Sequence, residues 1–472
     1  MNEVASQTPK RIHFIGVGGV GMSGIARVAA EQGIRVSGSD LRESRYTQQL
    51  VDAGVTVYIG QDASHITDDI DVVVVSTAIL DANPELVEAK RKELPIWHRA
   101  KMLAALGVGK KTLAVAGTHG KTTSSSMAAF TLDALDYDPT FLIGGIVRAY
   151  GSNAHSGFGD YYVVEADESD KSFTYLDPAS VLITNIEADH LDHYADLSEI
   201  YSLFFDFMSS VPDEGYCVVC GDDKPLVELA HKTGKQVITY GRSDDCDVKV
   251  EHYRTEGITS FFSVTLPDGE HLACSLPQNP GIHNALNAAG VLTLLWTQGV
   301  DAQKAAEALT TFAGVRRRFD KVGEVHGITI VDDYAHHPTE IAATIRAAKA
   351  LDFKRVHVLF QPHRYSRIAL FTQVLRKEFS QAFNDADAVT FMDVYSAGET
   401  PVPGVTGATF MEPVQEGYPN KEALSYIPRR LEVVPTLAEL LTSGDLLITM
   451  GAGDVTTIGA ELVAALTEKY EA

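Results

Sequence analysis

Two stretches of this chain share one layout: an apolar run, a glycine-rich turn, then small helix-compatible residues. They are "FIGVGGVGMSGIA", residues 14–26, and "AVAGTHGKTTSS", residues 114–125. An apolar run that ends in glycines and opens a helix reads as the start of a βαβ unit, with the run buried in a parallel sheet. Two such openings far apart commit the chain to more than one α/β module. Its length of 472 residues agrees, because one hydrophobic core does not serve a chain of that size.

The alternation of strand and helix runs through the whole chain. "RIHFIGV", "IRVSGSD", "VTVYIG" and "DVVVVSTAI" read as strands, with a helix beginning near Ser23 after the first. A helix near "HRAKMLAAL" ends at "GVGKK", which predicts a Rossmann-like parallel-sheet domain over 1–107 and a linker around 107. "TLAVAG", a helix from Lys121, "DYYVVEAD" and "SVLITNI" predict a central sheet of the P-loop ATPase type over 108–320. Within it, "DVKVEHY", "ITSFFSVTL" and "HLACSL" alternate with turn signals such as "PDG" and predict a small antiparallel appendage. A long helix at "IHNALNAAGVLTLLW" and another near 302–312 close this domain. "ITIVDDYAHHP", "RVHVLFQP", "AVTFMDV" and "DLLITMGAG", with helices between them, predict a third, C-terminal Rossmann-like α/β domain over 321–472.

Composition narrows the function. Apolar residues make up 45% and charged residues 22%, ordinary values for a globular protein. Since no apolar run approaches the ~20 residues of a membrane span and the N-terminus lacks a signal-peptide core, the expected location is the cytoplasm. A net charge of −24 argues against general nucleic-acid binding, so neither nucleic acid nor a membrane is expected as a partner. Anionic ligands must then be held by local positive features. Cys217 and Cys220 form a CxxC in "GYCVVCG", but on a strand an odd separation puts the two thiols on opposite faces, so they read as core residues.

The chemistry gathers at the strand ends. In the second loop, Gly117 and Gly120 allow close backbone approach, Lys121 suits the β/γ-phosphates of a nucleotide, and Thr122 can offer a hydroxyl to Mg²⁺. The usual first glycine of that pattern falls at Val115, so the loop is a shortened variant. In the first loop, Gly16, Gly18 and Gly21 have G-x-G-x-x-G spacing, and Asp40 ends the next strand where a ribose-binding acid belongs. That alone suggests NAD and an oxidoreductase. The same physics suits the diphosphate of a nucleotide sugar, and a second nucleotide loop downstream favours that over hydride transfer.

"VVEADESD" ends a strand in Glu165, Asp167, Glu168 and Asp170, and "NIEADHLDHY" ends the next with His190. Two acidic strand tips in one ATP-binding sheet predict metal binding. "RRRFD" places Arg316, Arg317 and Arg318 at a domain junction, where an arginine can meet a phosphate. "VDDYAHHP" and "FQPHRYSR" both end strands and supply Asp333, His336, His363, Arg364 and Arg367 as cleft candidates. His336 and His337 are not read as a zinc pair, because adjacent side chains diverge and no third soft ligand has the right spacing.

"GTHGKTT", "EADESD", "NIEADHLDHY", "HNALNAAG", "RRRFD" and "DDYAHHP", in this order, resemble the Mur ligase family across essentially the whole chain. The resemblance implies three α/β domains: one for a UDP-sugar, a central ATPase, and a third that closes over an amino acid and excludes water. It implies ATP on Gly117, Thr118, His119, Gly120, Lys121, Thr122 and Thr123, with Mg²⁺ on Thr122 and Glu165 and a second metal position at His190. Asn284 and Asn287 would lie near the adenine, and Arg318 and Asp333 would reach ATP. The UDP-sugar would rest on Gly16, Gly18, Gly19, Gly21, Asp40 and Ser76, with His363, Arg364 and Arg367 also in the substrate cleft.

The start "IHFIGVGGVGMSGIA" is similar to the alanine-adding members, which implies UDP-N-acetylmuramate and L-alanine as substrates. A phosphoryl group would pass from ATP to the lactyl carboxylate, and the alanine amine would attack the acyl phosphate. His336 and the cleft carboxylates are the candidate proton acceptors. Some sister enzymes carry a carbamylated lysine after "DHLD"; here Phe204 falls at about that place. A sister ligase that attaches a recycled peptide is the nearest alternative, and a nucleotide switch without ligase activity a more distant one. The loop "SAGETPVPG", 396–404, is expected to shape the amino-acid site. The expected assembly is a monomer or a homodimer.

Overall fold

The computed structural model of the protein describes residues 9–168, 172–187, 194 and 196–471. By compactness the chain forms two units. One is built on the chain up to residue 187 with 196–248 and 290–308 added; the other on 249–289 and the chain from 309 onward.

The first unit opens with a five-stranded parallel sheet. Its strands lie in the order Thr56–Ile59, Arg35–Asp40, Arg11–Ile15, Val72–Val75 and Ile96–His98. Ile12, Phe14 and Ile15 on the central strand are fully buried, as a strand covered on both faces requires. The chain winds outward in both directions from the pair Arg11–Ile15 and Val72–Val75, so their carboxyl ends open a crevice at the switch point. The last strand, Ile96–His98, is absent from the sequence reading; at three residues it carries no pattern to read. The helix after the first glycine turn spans Val20–Glu31, starting earlier than Ser23 because the turn itself is short.

The second sheet of this unit runs Gln236–Gly241, Tyr216–Cys220, Ser180–Ile183, Lys111–Ala116, Tyr161–Glu165 and Thr140–Val147, all parallel, and ends on the antiparallel Ser152–His155. The helix Lys121–Ala134 is lined with Ser, Thr and Ala, and Thr122 through Ala129 are all buried. Small side chains let that helix lie close on the sheet. Residues expected to form a linker are packed instead. A Cβ on Gly107 would come within 2.3 Å of the Tyr162 ring, and the Tyr162 hydroxyl donates to the Leu103 carbonyl at 2.9 Å. All four cysteines are free and buried, and burial pushes the Cys217 thiol up to about 12.

In the second unit, Val248–Glu256, Thr259–Thr265 and His271–Leu276 form the expected antiparallel meander. A six-stranded sheet follows, in the order Asp320–Val325, Ile328–Asp333, Asp445–Met450, Arg355–Phe360, Ala388–Met392 and Leu424–Ile427; the first pair is antiparallel and the rest parallel. Val358, Phe360 and Phe391 pack toward one layer of helices, Ile330, Leu359 and Leu447 toward the other. Among the described residues no helix is long and apolar enough to cross a membrane.

Candidate active site

The first glycine turn is shaped by the strand beside it. Gly16 has φ +79°, and the N–H groups of Gly16 and Val17 both donate to the Ser39 carbonyl, at 2.8 and 2.9 Å. The Gly18 N–H donates to Asp40 Oδ2 at 2.8 Å, and a Cβ on Gly18 would fall 2.8 Å from that same oxygen. Glycine is therefore required at 18 by the carboxylate that braces the turn. Asp40, read from sequence as a ribose acid, is engaged with the turn itself. Gly19 caps the helix Val20–Glu31 without a side-chain bond, so first-turn N–H groups stay open to an anion. The Ser76 loop reaches the same place: a Cβ on Gly16 would lie 3.1 Å from Ile79.

The second turn is tighter. Gly117 has φ +124°, and a Cβ there would come within 2.2 Å of Thr184 Oγ1. Gly120, with φ +85°, turns the chain into the helix that Lys121 begins. The loop is tied down by Asn185, which accepts from the His119 N–H at 2.9 Å and whose carbonyl takes the Thr118 N–H at 3.1 Å. Thr118 Oγ1 accepts from the Glu187 N–H at 2.8 Å, and Thr123 is buried in the helix start.

Lys121 Nζ points back into the turn, donating to the Gly117 carbonyl at 2.7 Å and pairing with Glu168 at 2.9–3.0 Å. Burial, the largest single influence, would pull its pKa down; the charge and hydrogen bond of Glu168 together with the charges of Asp167 and Glu165 more than offset that and raise it. Thr122 Oγ1 donates to Glu165 Oε1 at 2.9 Å, while Glu165 Oε2 takes the Gly144 N–H at 2.6 Å. Desolvation raises the Glu165 pKa. One lysine thus faces Glu165, Asp167 and Glu168, an excess of hard oxygen donors and negative charge that suits Mg²⁺. His190 and Asp170 lie outside the described residues.

The second unit collects its candidates at the carboxyl ends of its parallel strands. Asp333, at the end of Ile328–Asp333, is turned inward: its oxygens accept from the Phe319 and Ala335 N–H groups, each at 2.8 Å. Burial raises its pKa to about 6 despite the neighbouring Arg318. Asp333 therefore shapes the segment that carries Arg318. Arg318 lies 5.3 Å from the Tyr334 ring centre and 3.8 Å from Glu340. Arg317 is committed to structure, donating to the Gly451 carbonyl at 2.6 Å.

His336 Nδ1 lies 3.1 Å from the Tyr334 carbonyl, and His337 caps the helix Pro338–Lys349. Asn284 donates to the Pro280 carbonyl at 3.0 Å, and Asn287 lies a turn further on, 3.5 Å from Asn284. Their neighbour His283 is pushed down to about 4 by burial and by Arg318. His363 is pushed to about 4 by burial and then by His336, Arg367 and Arg364, so these four side chains form one basic cluster. The 396–404 loop joins that cluster through Glu399, which accepts from the Ser366 hydroxyl at 2.6 Å.

Three family models cover the chain in order: the Mur ligase family catalytic domain over residues 11–111, the Mur ligase middle domain over 115–295, and the Mur ligase glutamate ligase domain over 317–453. The chain belongs to the Mur ligase family. Among its relatives is a UDP-N-acetylmuramate–L-alanine ligase of Thermobifida fusca, 45% identical over 469 residues that cover 97% of this chain and 96% of the relative. The crystal structure of a UDP-N-acetylmuramate–alanine ligase from Thermotoga maritima matches with a TM-score of 0.79 at 29% identity, over 97% of this chain and 99% of that one. A murein peptide ligase from Psychrobacter arcticus shares the fold, with a TM-score of 0.70 at 24% identity over 97% and 98%.

Two residues of this Mur ligase escape sequence reasoning. Arg99 stands over the first turn of Val20–Glu31: a Cβ on Gly21 would lie 3.1 Å from its Nη1. Nothing in "HRAKMLAAL" marks it, and only the unread strand Ile96–His98 brings it to the crevice. Glu168 reads from sequence as one of the metal carboxylates, yet its partner is Lys121 and it is only 2% exposed.

Proposed function

We propose that this protein joins L-alanine to the lactyl carboxylate of UDP-N-acetylmuramate, consuming ATP and releasing ADP and phosphate in the cytoplasm. The observation that carries this reading is the presence of two glycine turns of different design in one compact unit, in a chain 45% identical to an alanine-adding relative over almost its full length. The first turn offers helix N–H groups and Arg99 to a diphosphate; its acid, Asp40, is already bonded to Gly18, which argues against a ribose-reading dinucleotide site. The second turn offers Lys121 to a triphosphate.

The division of labour follows the sequence boundaries at 107 and 320. Gly117–Thr123 hold ATP, with Asn284 and Asn287 assigned to its base and Arg318 to its phosphates. Both partners in the first step are anions, so the protein's task is charge compensation and alignment. Lys121 exchanges Glu168 for phosphate oxygens as the nucleotide enters. Thr122 and Glu165 would hold Mg²⁺, which supplies Lewis-acid neutralisation of the phosphates when bound. His363, Arg364 and Arg367 attract the carboxylate of the incoming amino acid. His336 is assigned to the proton released by its amine.

The test is phosphate release from UDP-N-acetylmuramate, ATP and Mg²⁺, with each amino acid and the cell-wall tripeptide added in turn. Alanine-dependent release is the expected result. Release driven by the tripeptide alone assigns the chain to peptide reattachment, and saturable NADH binding in the first turn overturns the reading altogether.

A further inference from the structure

The two cradles are joined through one side chain. Asn153 sits on the antiparallel strand Ser152–His155 and is 7% exposed. Its Nδ2 donates in two directions. One bond, 3.3 Å, goes to the carbonyl of Val20, the first residue of the helix that opens from the UDP-sugar turn. The other, 3.2 Å, goes to the carbonyl of Ile143. The next residue, Gly144, holds Glu165 Oε2 with its N–H, and Glu165 in turn accepts from Thr122 in the ATP turn. A continuous path of hydrogen bonds and single peptide units therefore runs from the first helix to the ATP turn.

The surroundings make this seam rigid. Gly24 lets the helix lie against the hairpin: a Cβ there would be 3.1 Å from both Asn153 Nδ2 and Leu142, and 3.3 Å from Ala154. Arg27 donates to Ser152 Oγ at 3.0 Å, and Glu31 accepts from the Ser156 N–H at 2.9 Å. On the other side, the ladder pairs Leu142 with Val164, which fixes where Glu165 follows. Asn153 differs from the rest of the seam in bonding to the backbone at the business end of each cradle.

We propose that Asn153 is a positioning residue that couples the two nucleotide sites. It fixes the helix behind the UDP-sugar diphosphate against the strand that orients Glu165, so ordering one cradle orders the other. This rests on the functional reading above, since it takes the occupants to be UDP-N-acetylmuramate and ATP. Coupling of this kind is reciprocal. UDP-N-acetylmuramate binds more tightly when a non-hydrolysable ATP analogue and Mg²⁺ are present, and the analogue binds more tightly in the presence of the sugar nucleotide by the same factor.

The experiment is calorimetric titration of the full chain with each nucleotide, alone and with the other present. For wild type the expected synergy is at least about fivefold. Asn153→Ala is expected to bring that ratio close to one while each Kd measured alone changes less than the ratio does. Gly24→Ala attacks the same seam from the helix side, keeps Asn153, and is expected to lower the ratio as well. Thermal melting of both variants reports folding separately. A wild-type ratio of one, or an unchanged ratio in a folded Asn153→Ala protein, overturns the coupling even if alanine-dependent turnover is normal. Absence of turnover in wild type overturns the functional reading instead.

Discussion

Lys121 and Glu168 are both nearly inaccessible, with side chains 11% and 3% exposed. Removing one member of a buried pair strands the other charge. Lys121→Ala is therefore expected to destabilise the protein by about 3–5 kcal/mol and to lower phosphate release at least about a hundredfold. The double variant Lys121→Met/Glu168→Gln should regain most of the stability and none of the activity, which melting curves and phosphate assays separate. Asp333 gives a pH signature of its own. Its carboxyl binds a proton more tightly folded, at about 6, than at the ordinary 3.8 of the unfolded chain. Its contribution to stability is thus fully present below pH 3.8 and is lost as pH rises through 6, a span of about 3 kcal/mol. Asp333→Asn lacks that titration. In urea unfolding, wild type should gain on the variant as pH falls from 7 toward 4; a gap independent of pH overturns the assignment. The sequence identified Lys121 and Asp333 as site residues, but not what each would bond to, because Glu168 arrives from beyond another strand and the Phe319 and Ala335 N–H groups are aimed at Asp333 only by the folded backbone.

At the scale of elements, the two strand–glycine–helix openings are the same device, and substitutions in them should separate by substrate. Gly18→Ala drives a methyl onto the Asp40 carboxylate, so the KM for UDP-N-acetylmuramate should rise at least about tenfold, and by more than the KM for ATP, which changes only through the coupling of the two cradles. Gly117→Ala, strained by its φ of +124° and by Thr184, should do the reverse. Steady-state kinetics with each substrate varied in turn checks both, and changes of equal size in the two constants for both variants count against separate cradles. These openings were legible because apolar run, glycine and helix-forming residues follow one another locally. The hairpin of Thr140–Val147 and Ser152–His155 was not. Its first strand, "TFLIGGIV", carries no alternation, its second is four residues of mixed polarity, and an antiparallel edge is decided by the strand it meets. Missing the hairpin meant missing Asn153, just as missing Ile96–His98 meant missing Arg99.

At the scale of the whole molecule, the three alternations read from sequence condense into two compact units because the helix Val20–Glu31 packs on the 140–155 hairpin; a chain boundary at 107 is not a break in packing. Charge shows a similar contrast between sequence and structure. The protein carries a net −24, yet its proposed ligands are anions. The cations that meet them are not free fields: Lys121 is paired with Glu168, and Arg318 has Glu340 within 3.8 Å. Each such pair is close to neutral at a distance, so an approaching anion meets the overall negative charge first and the cation only on arrival. That arrangement gives no long-range attraction. Raising the ionic strength from about 10 to about 100 mM shortens the screening length from ~30 to ~10 Å and should weaken the repulsion. The kcat/KM for UDP-N-acetylmuramate, measured at saturating ATP, alanine and Mg²⁺, is expected to hold or rise over that range. A several-fold fall would mean that local positive charge dominates the approach, and that the acidic surface is irrelevant to substrate capture.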